Sequence, residues 1–235
     1  MMHKNIIFIF LCLFIISCSK ENSKQSVSKG YVLTIDFNET VNTSVFLSEF
    51  TKNGVVIIDS ANIENNKAVF KGKVDYPSRY TVGLNTTAGK KLLIIANDSI
   101  QLKINNNEIA AGIISGSAIN DTLIAHQRYI RKTFKKVDAL FPEIQRARMA
   151  NDASTLQNIS NKIKSVEQEV LEINYTFANT HPNSFISAMI LNDLSKRDSI
   201  DGDRLNKLYQ NLSPRVKKGK DAVQLKLFLD TTLDH

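Results

Sequence analysis

The residue types that most often carry chemistry are few in this chain and unevenly placed. Both of its two cysteines lie in the first 18 of 235 residues, which excludes a disulfide framework, a cysteine-based zinc site and a dithiol redox centre from the sequence that follows. Of the four histidines, His126, His181 and His235 lie beyond the N-terminal segment, and none is four residues from another histidine. This spacing does not favour a zinc site.

Cys18 is the one residue to which the sequence assigns a modification. Residues 1–17 join a charged start to an 11-residue apolar run, 6–16, which predicts a secretory signal peptide. The run is too short to span a bilayer, which takes about 20 apolar residues. The sequence Ile-Ile-Ser-Cys that ends at Cys18 resembles the lipobox of bacterial lipoproteins, and this implies cleavage before Cys18 and its acylation. The alternative is an ordinary cleaved signal with a chance cysteine.

Residues 18–30 are polar and lack apolar periodicity, so we expect a lipidated, flexible tether. Several acyl chains on Cys18 would hold the protein stably to membrane lipid, the first partner that we predict. Ser19 stands where many inner-membrane lipoproteins of enteric bacteria have aspartate. We therefore expect a lipid-anchored protein of the bacterial cell envelope, on the periplasmic or the outer face of the outer membrane.

Other candidate sites are weak. Asp198, Asp201 and Asp203 surround Gly202 as in a calcium loop, but the 12-residue ligand pattern and its final glutamate are missing. We favour capping of a helix that starts near Arg204. The sequence contains no nucleophile-elbow, phosphate-loop or dinucleotide-binding motif, so we assign no catalytic residue, no cofactor and no metal ligand.

Basic residues are concentrated in two stretches of a chain whose formal charge is +7. The denser stretch holds Arg128, Arg131, Lys132, Lys135 and Lys136, and the other holds Arg215, Lys217, Lys218 and Lys220. An envelope protein does not routinely meet nucleic acid, so we expect no nucleic-acid partner. We expect solvated helix faces, with contact to anionic lipid or lipopolysaccharide as the alternative.

The elements that would position these residues fall into two zones. Residues 31–118 contain eight short β-rich runs with turn residues between most of them, which predicts a small antiparallel β-sandwich of about seven or eight strands. The runs are 31–37, 43–50, 55–59, 67–73, 79–84, 91–96, 99–104 and 109–115. The strongest turn signal is Lys52-Asn53-Gly54, because Asn-Gly readily supplies positive φ angles.

Residues 119–235 have a helical period instead. Apolar residues recur every three or four positions from Leu123 to Ile144 and again from Leu156 to Phe177, which predicts a helical hairpin. Asp152 should cap the second helix and Pro142 should kink or end the first. We expect shorter helices at 185–194 and 204–212 and one from Pro214 to about 229. An intermolecular coiled coil is the alternative to packing within the chain. The expected fold class is α+β.

Several motifs resemble the family known as domain of unknown function 4369. They are Asp59-Ser60-Ala61, the strand Phe70-Lys71-Gly72-Lys73-Val74 with Pro77 and Tyr80 after it, the passage Gly116-Ser117-Ala118-Ile119-Asn120, and the turn that begins His181-Pro182. The resemblance spans about 31–229. Many such proteins are Bacteroidetes envelope lipoproteins in which a thioredoxin-like domain with Cys-x-x-Cys follows. This chain departs from that pattern, because it has no Cys-x-x-Cys and ends at His235.

From these features we expect a non-enzymatic binding or scaffold lipoprotein. Its second partner would be an envelope protein, for which the resemblance suggests a thioredoxin-like one. The alternative is an accessory or a truncated remnant of a thioredoxin-like oxidoreductase. Gly72 should mark a bulge or a close backbone approach, and Phe70 and Tyr80 should be core residues rather than ligand contacts.

Overall fold

A computed structural model of the chain describes residues 30–40, 42–51, 54–86, 89–105 and 108–233. Within these ranges, eight strands form two four-stranded sheets and helices follow them, which confirms the α+β fold. The strands are β1 (Tyr31–Phe37), β2 (Ser44–Thr51), β3 (Gly54–Asn62), β4 (Lys67–Gly72), β5 (Ser78–Leu84), β6 (Lys90–Ile95), β7 (Ser99–Ile104) and β8 (Ile113–Ser115). The first sheet has the order β4-β1-β7-β8 and the second the order β3-β2-β5-β6.

One strand pair departs from the predicted antiparallel arrangement. β1 pairs with β7 in parallel, while every other pair of described strands is antiparallel. The reason lies in the connection, since parallel neighbours need a long crossover. Here the connection from β1 to β7 contains β2 to β6, and its last two strands, β5 and β6, lie in the second sheet. The chain then returns to the first sheet as β7, which runs parallel to β1.

Strand boundaries differ most at β3 and β8. The predicted strand 109–115 is a strand only at Ile113–Ser115, because Ile109–Ala111 form a 3₁₀ helix. The prediction 55–59 is too short, because β3 continues to Asn62 after a bulge at Leu47 and Ser48 of β2 shifts the register. Gly54 has a φ of +113°, as the predicted Asn-Gly turn requires, and it pairs with Thr51. Lys52 and Asn53 lie outside the described residues.

Two hydrophobic cores share β6. Between the sheets lie buried side chains that include Phe70 and Tyr80, which confirms both as core residues. Leu93 and Ile95 point into this core, whereas Ile94 between them joins a second core formed by the helices. A Cβ atom on Gly72 would lie 2.7 Å from the Tyr31 ring, so this glycine permits the predicted close approach. At β6 the second sheet is thus covered on both faces.

The helices are α1 (Ala118–Asp138), α2 (Phe141–Met149), α3 (Ala153–Thr180), α4 (Phe185–Leu194), α5 (Gly202–Asn211) and α6 (Lys220–Leu233). Short 3₁₀ helices span Ile109–Ala111 and Val216–Lys218. α1 ends before Pro142, and the Asp152 carboxylate accepts a hydrogen bond from the Thr155 amide at 3.0 Å, as predicted for the hairpin. The apolar stripe of α3 packs within the chain, where Ile159, Val166 and Val170 are buried.

The start of the last helix is a correction. α6 begins at Lys220 and not at Pro214, because Gly219 adopts an extended conformation with a ψ of 151°. The Gly219 amide closes the preceding 3₁₀ turn on the Val216 carbonyl. A Cβ atom on Gly219 would lie 2.9 Å from the Phe185 ring, so the close packing against α4 leaves no room for a side chain at this position.

Candidate functional site

Arg79 joins the second sheet to the helices. Its side chain is 19% exposed, and Nη1 donates to both carboxylate oxygens of Asp193 on α4, at 2.9 and 2.8 Å. Nη2 donates to Oδ1 of Asp221 on α6, which also accepts from the Asn192 side-chain amide at 2.8 Å. Burial alone would lower the pKa of Arg79, but the two aspartates outweigh it and raise that pKa above its usual value. We call Arg79, Asn192, Asp193 and Asp221 the Arg79 clamp.

The charges around the Arg79 clamp balance. Lys196 lies 3.5 Å from Asp193, and Lys220 pairs with Glu49 of β2. Arg79, Lys196, Lys220, Asp193 and Asp221 line a cleft of about 240 Å³. Glu49 lies outside the lining but pairs with Lys220, so the network as a whole has three cations and three carboxylates. Compensated ion pairs of this kind hold elements together and leave little unpaired charge to attract a ligand.

The passage from Gly116 to Asn120, which leads into α1, is held by side-chain hydrogen bonds. Gly116 has a φ of +80°, and the buried Asn120 follows on the first turn of α1. The Asn120 amide group donates to the Ile94 carbonyl at 2.7 Å, and its oxygen accepts from the Ile94 amide at 2.8 Å. Asn120 therefore replaces a strand partner along the open edge of β6 and sets the position of α1 on the sandwich.

Beside this passage lies a second and larger cleft, of about 590 Å³, between α1 and the end of the sandwich. Its cations are Lys91 of β6 and Arg128 and Arg131 of α1. Its apolar lining includes Gly112, Ile113, Ile114 and Ile124. We call this the basic cleft. Gly112 permits its shape, because a Cβ atom there would lie 2.7 Å from Leu102.

No described carboxylate pairs with a cation of the basic cleft. Among the described residues, no acidic side chain lies within ion-pair distance of Lys91, Arg128 or Arg131. Partial burial and the neighbouring charge of Arg131 lower the pKa of Lys91, whose ammonium donates to the Ala110 carbonyl at 3.3 Å. With Asp121 at the other end, the four charged residues that line the cleft sum to +2.

The other sequence candidates have structural positions. His126 is buried between α1 and α3, with Nε2 2.8 Å from the Asn174 amide oxygen, and His181 stacks on Phe177. The Asp201 carboxylate accepts from the Arg204 amide at 2.9 Å, which confirms the predicted helix cap. Within the described ranges, no three His, Cys, Asp or Glu side chains come together as a metal site would require.

The two basic stretches differ in their surroundings. In the second, Arg215 lies over the Phe185 ring, Lys217 donates to the Gln210 carbonyl at 2.9 Å, and Lys220 pairs with Glu49. In the first, Lys136 pairs with Glu169 of α3, whereas Arg128 and Arg131 face the basic cleft.

Lys91 of the basic cleft and all four residues of the Arg79 clamp were missed from the sequence. Lys91 sits in a strand and Arg79 in another, and neither lies near its partners along the chain. Only the spacing of Arg128 and Arg131, three positions apart on one helix face, was a visible signal. Cys18 and His235 lie outside the described residues, and in the part of the chain that the structure describes no helix is both long and apolar enough to cross a membrane.

The fold defines a two-sheet sandwich with a helical extension. The family described as domain of unknown function (DUF4369) matches residues 31–123, which cover the sandwich and the first turns of α1. This confirms the family part of the sequence resemblance for that segment. A search among curated proteins found no match to the chain.

Proposed function

We propose that this chain is a lipid-anchored protein of the bacterial cell envelope that binds another protein and performs no catalysis itself. The lipobox-like sequence at Cys18 supports the anchor. The observation that carries the binding role is the exposed edge strand β3. Soluble proteins seldom leave such a strand uncovered, because an open apolar edge is a template for pairing with another chain.

β3 pairs with β2 on one side and forms the edge of its sheet. Its four consecutive apolar residues, Val55, Val56, Ile57 and Ile58, are each between 45% and 60% exposed. Phe50 of β2, opposite Val55 in the register, is also exposed. Successive residues of a strand point to opposite faces, so apolar surface is available on both sides of this edge.

An extended apolar segment of another envelope protein fits this edge best. Added as a fifth strand, it would bond to the backbone of β3 while its own alternating side chains cover those of β3. A strand is favoured over a helix because a helix would satisfy none of the backbone groups along the edge.

Photo-crosslinking in cells tests the binding role. A photoreactive phenylalanine analogue in place of Phe50 should give one defined protein adduct, and Ile57→Lys should abolish that adduct. Ser60→Lys, an exposed position of the same strand, should leave it intact. An adduct with a thioredoxin-like protein would support the role of an accessory to that protein. An adduct with a second copy of the chain would show that the β3 edge serves self-association instead. The absence of any adduct would contradict the binding role.

Metabolic labelling with a radioactive fatty acid tests the anchor. The wild-type chain should incorporate the label and fractionate with membranes, and Cys18→Ala should do neither or retain its signal peptide, because the cysteine thiol accepts the first acyl group. Cys12→Ala is the matched control and should still be labelled. Label that persists in Cys18→Ala would contradict the lipoprotein assignment.

A further inference from the structure

The basic cleft combines a cationic group of side chains with an apolar lining. One end has Lys91, Arg128 and Arg131, none of which is paired with a described carboxylate. The lining beside them is apolar and includes Ile113, which is 62% exposed. Clustered like charges repel one another, so an anion bound among them would be attracted by all three.

The dimensions of the cleft limit what it could hold. Its volume of about 590 Å³ lies within the range of small-molecule sites. Arg128 and Arg131 lie seven and ten residues beyond Asp121 on α1, which places them about 10 and 15 Å from it along the helix axis. Asp121 therefore lies at the end opposite the cationic group, and an elongated molecule would meet positive charge at one end only.

We infer that the basic cleft binds an anionic amphiphile, an organic molecule with a phosphate or carboxylate head and an apolar body. The head would accept hydrogen bonds from Lys91, Arg128 and Arg131, for which guanidinium groups are well suited. The body would lie against Ile113, Ile114 and Ile124. A compact inorganic anion would leave this apolar surface in water.

The cleft is rigid enough to be a preformed site. β8 carries Ile113 and Ile114 and is paired with β7, and Asn120 fixes the start of α1 to β6. The buried Ile109 anchors the 3₁₀ helix whose Ala110 carbonyl accepts from Lys91. The lining therefore comes from elements whose backbones are already bonded, which lowers the entropy lost on binding.

Calorimetric titration of the full chain in nanodiscs of neutral phosphatidylcholine tests this inference, with empty nanodiscs as the reference. The probe is octyl phosphate below its micelle concentration. We expect it to bind at least tenfold more tightly than inorganic phosphate, and Lys91→Met or Arg131→Met to weaken it roughly tenfold. Lys132→Met is the matched control, since Lys132 adjoins Arg131 but does not line the cleft. Ile113→Ser should weaken the binding of octyl phosphate and leave the binding of inorganic phosphate unchanged.

Several results would overturn the inference. If octyl phosphate bound no more tightly than inorganic phosphate, the cleft would not recognise an apolar body. If neutral octyl glucoside bound equally well, the cleft would not recognise an anionic head. Binding only to vesicles that contain anionic phospholipid, with none of soluble octyl phosphate, would indicate a membrane-facing surface instead of a cleft. Thermal unfolding of each variant separates loss of binding from loss of folding. The surface at β3 is not part of the cleft, so either outcome leaves the protein-binding proposal to its own test.

Discussion

Two groups of basic side chains lie where helices meet the sandwich, and they differ in how their charge is balanced. Arg79 is held by two aspartates and lies in the interior of a compensated network. Lys91, Arg128 and Arg131 lie together with no described carboxylate in ion-pair reach. A cation stabilises the fold where carboxylates compensate it, and we expect it to cost stability where only other cations are near. Removing a cation should therefore have opposite effects at the two places.

The largest effect should follow Arg79→Met. The substitution keeps much of the volume but leaves the carboxylate of Asp221, which is 11% exposed, without its cation. We expect the free energy of unfolding to fall by about 3 kcal/mol in urea titrations, because an uncompensated buried charge is costly. Lys196→Met, at the exposed rim of the same network, should change it by less than about 0.5 kcal/mol. Equal effects of the two substitutions would show that the Arg79 clamp does not hold the helices to the sheet.

Asn120→Ala tests the positioning of the basic cleft. It removes both hydrogen bonds to the Ile94 backbone and leaves a buried amide and a buried carbonyl without partners. We expect a loss of about 2 kcal/mol in the free energy of unfolding, together with faster hydrogen exchange at the Ile94 amide. Thr122→Ala, which removes a hydroxyl bond within α1, is the control. Unchanged exchange at Ile94 would mean that α1 is held in place by other contacts.

In the basic cleft, removing a cation should change the free energy of unfolding in the opposite direction. Arg131→Gln removes one of three neighbouring cations, so at neutral pH the free energy of unfolding should rise by up to about 0.5 kcal/mol. Urea unfolding at low ionic strength measures it, since salt would screen the repulsion. A clear loss of stability would show that Arg131 has a structural role and that the two regions do not differ as argued.

The smallest effect concerns pH. The pKa of Lys91 is lowered in the folded state, first by burial and then by Arg131, so the folded chain releases this proton before the unfolded chain does. The contribution of Lys91 to stability therefore improves as pH rises from its folded pKa towards its ordinary value of 10.5. We expect any gain from Arg131→Gln to shrink over the same window in urea titrations. A gain that is independent of pH would contradict the coupling between Lys91 and Arg131.

Most local elements of this protein follow from its sequence alone. Short β-rich runs between turn residues located most of the strands, and a three-to-four-residue apolar period located the helical hairpin, because that period follows from helix geometry. Asp152 and Asp201 could be interpreted as helix caps from their own neighbours along the chain. The lipidation of Cys18 stays a prediction from the sequence, because this residue lies outside the described residues.

Which elements meet depends on the tertiary structure. The parallel pairing of β1 with β7 and the close approach of Gly219 to the Phe185 ring both join segments distant in sequence. The same holds for charge. Arg79 is separated from Asp221 by 142 residues, and Lys91 lies in β6 whereas Arg131 lies in α1. Whether a cation is compensated depends on distance in space, and a one-dimensional pattern does not contain that distance.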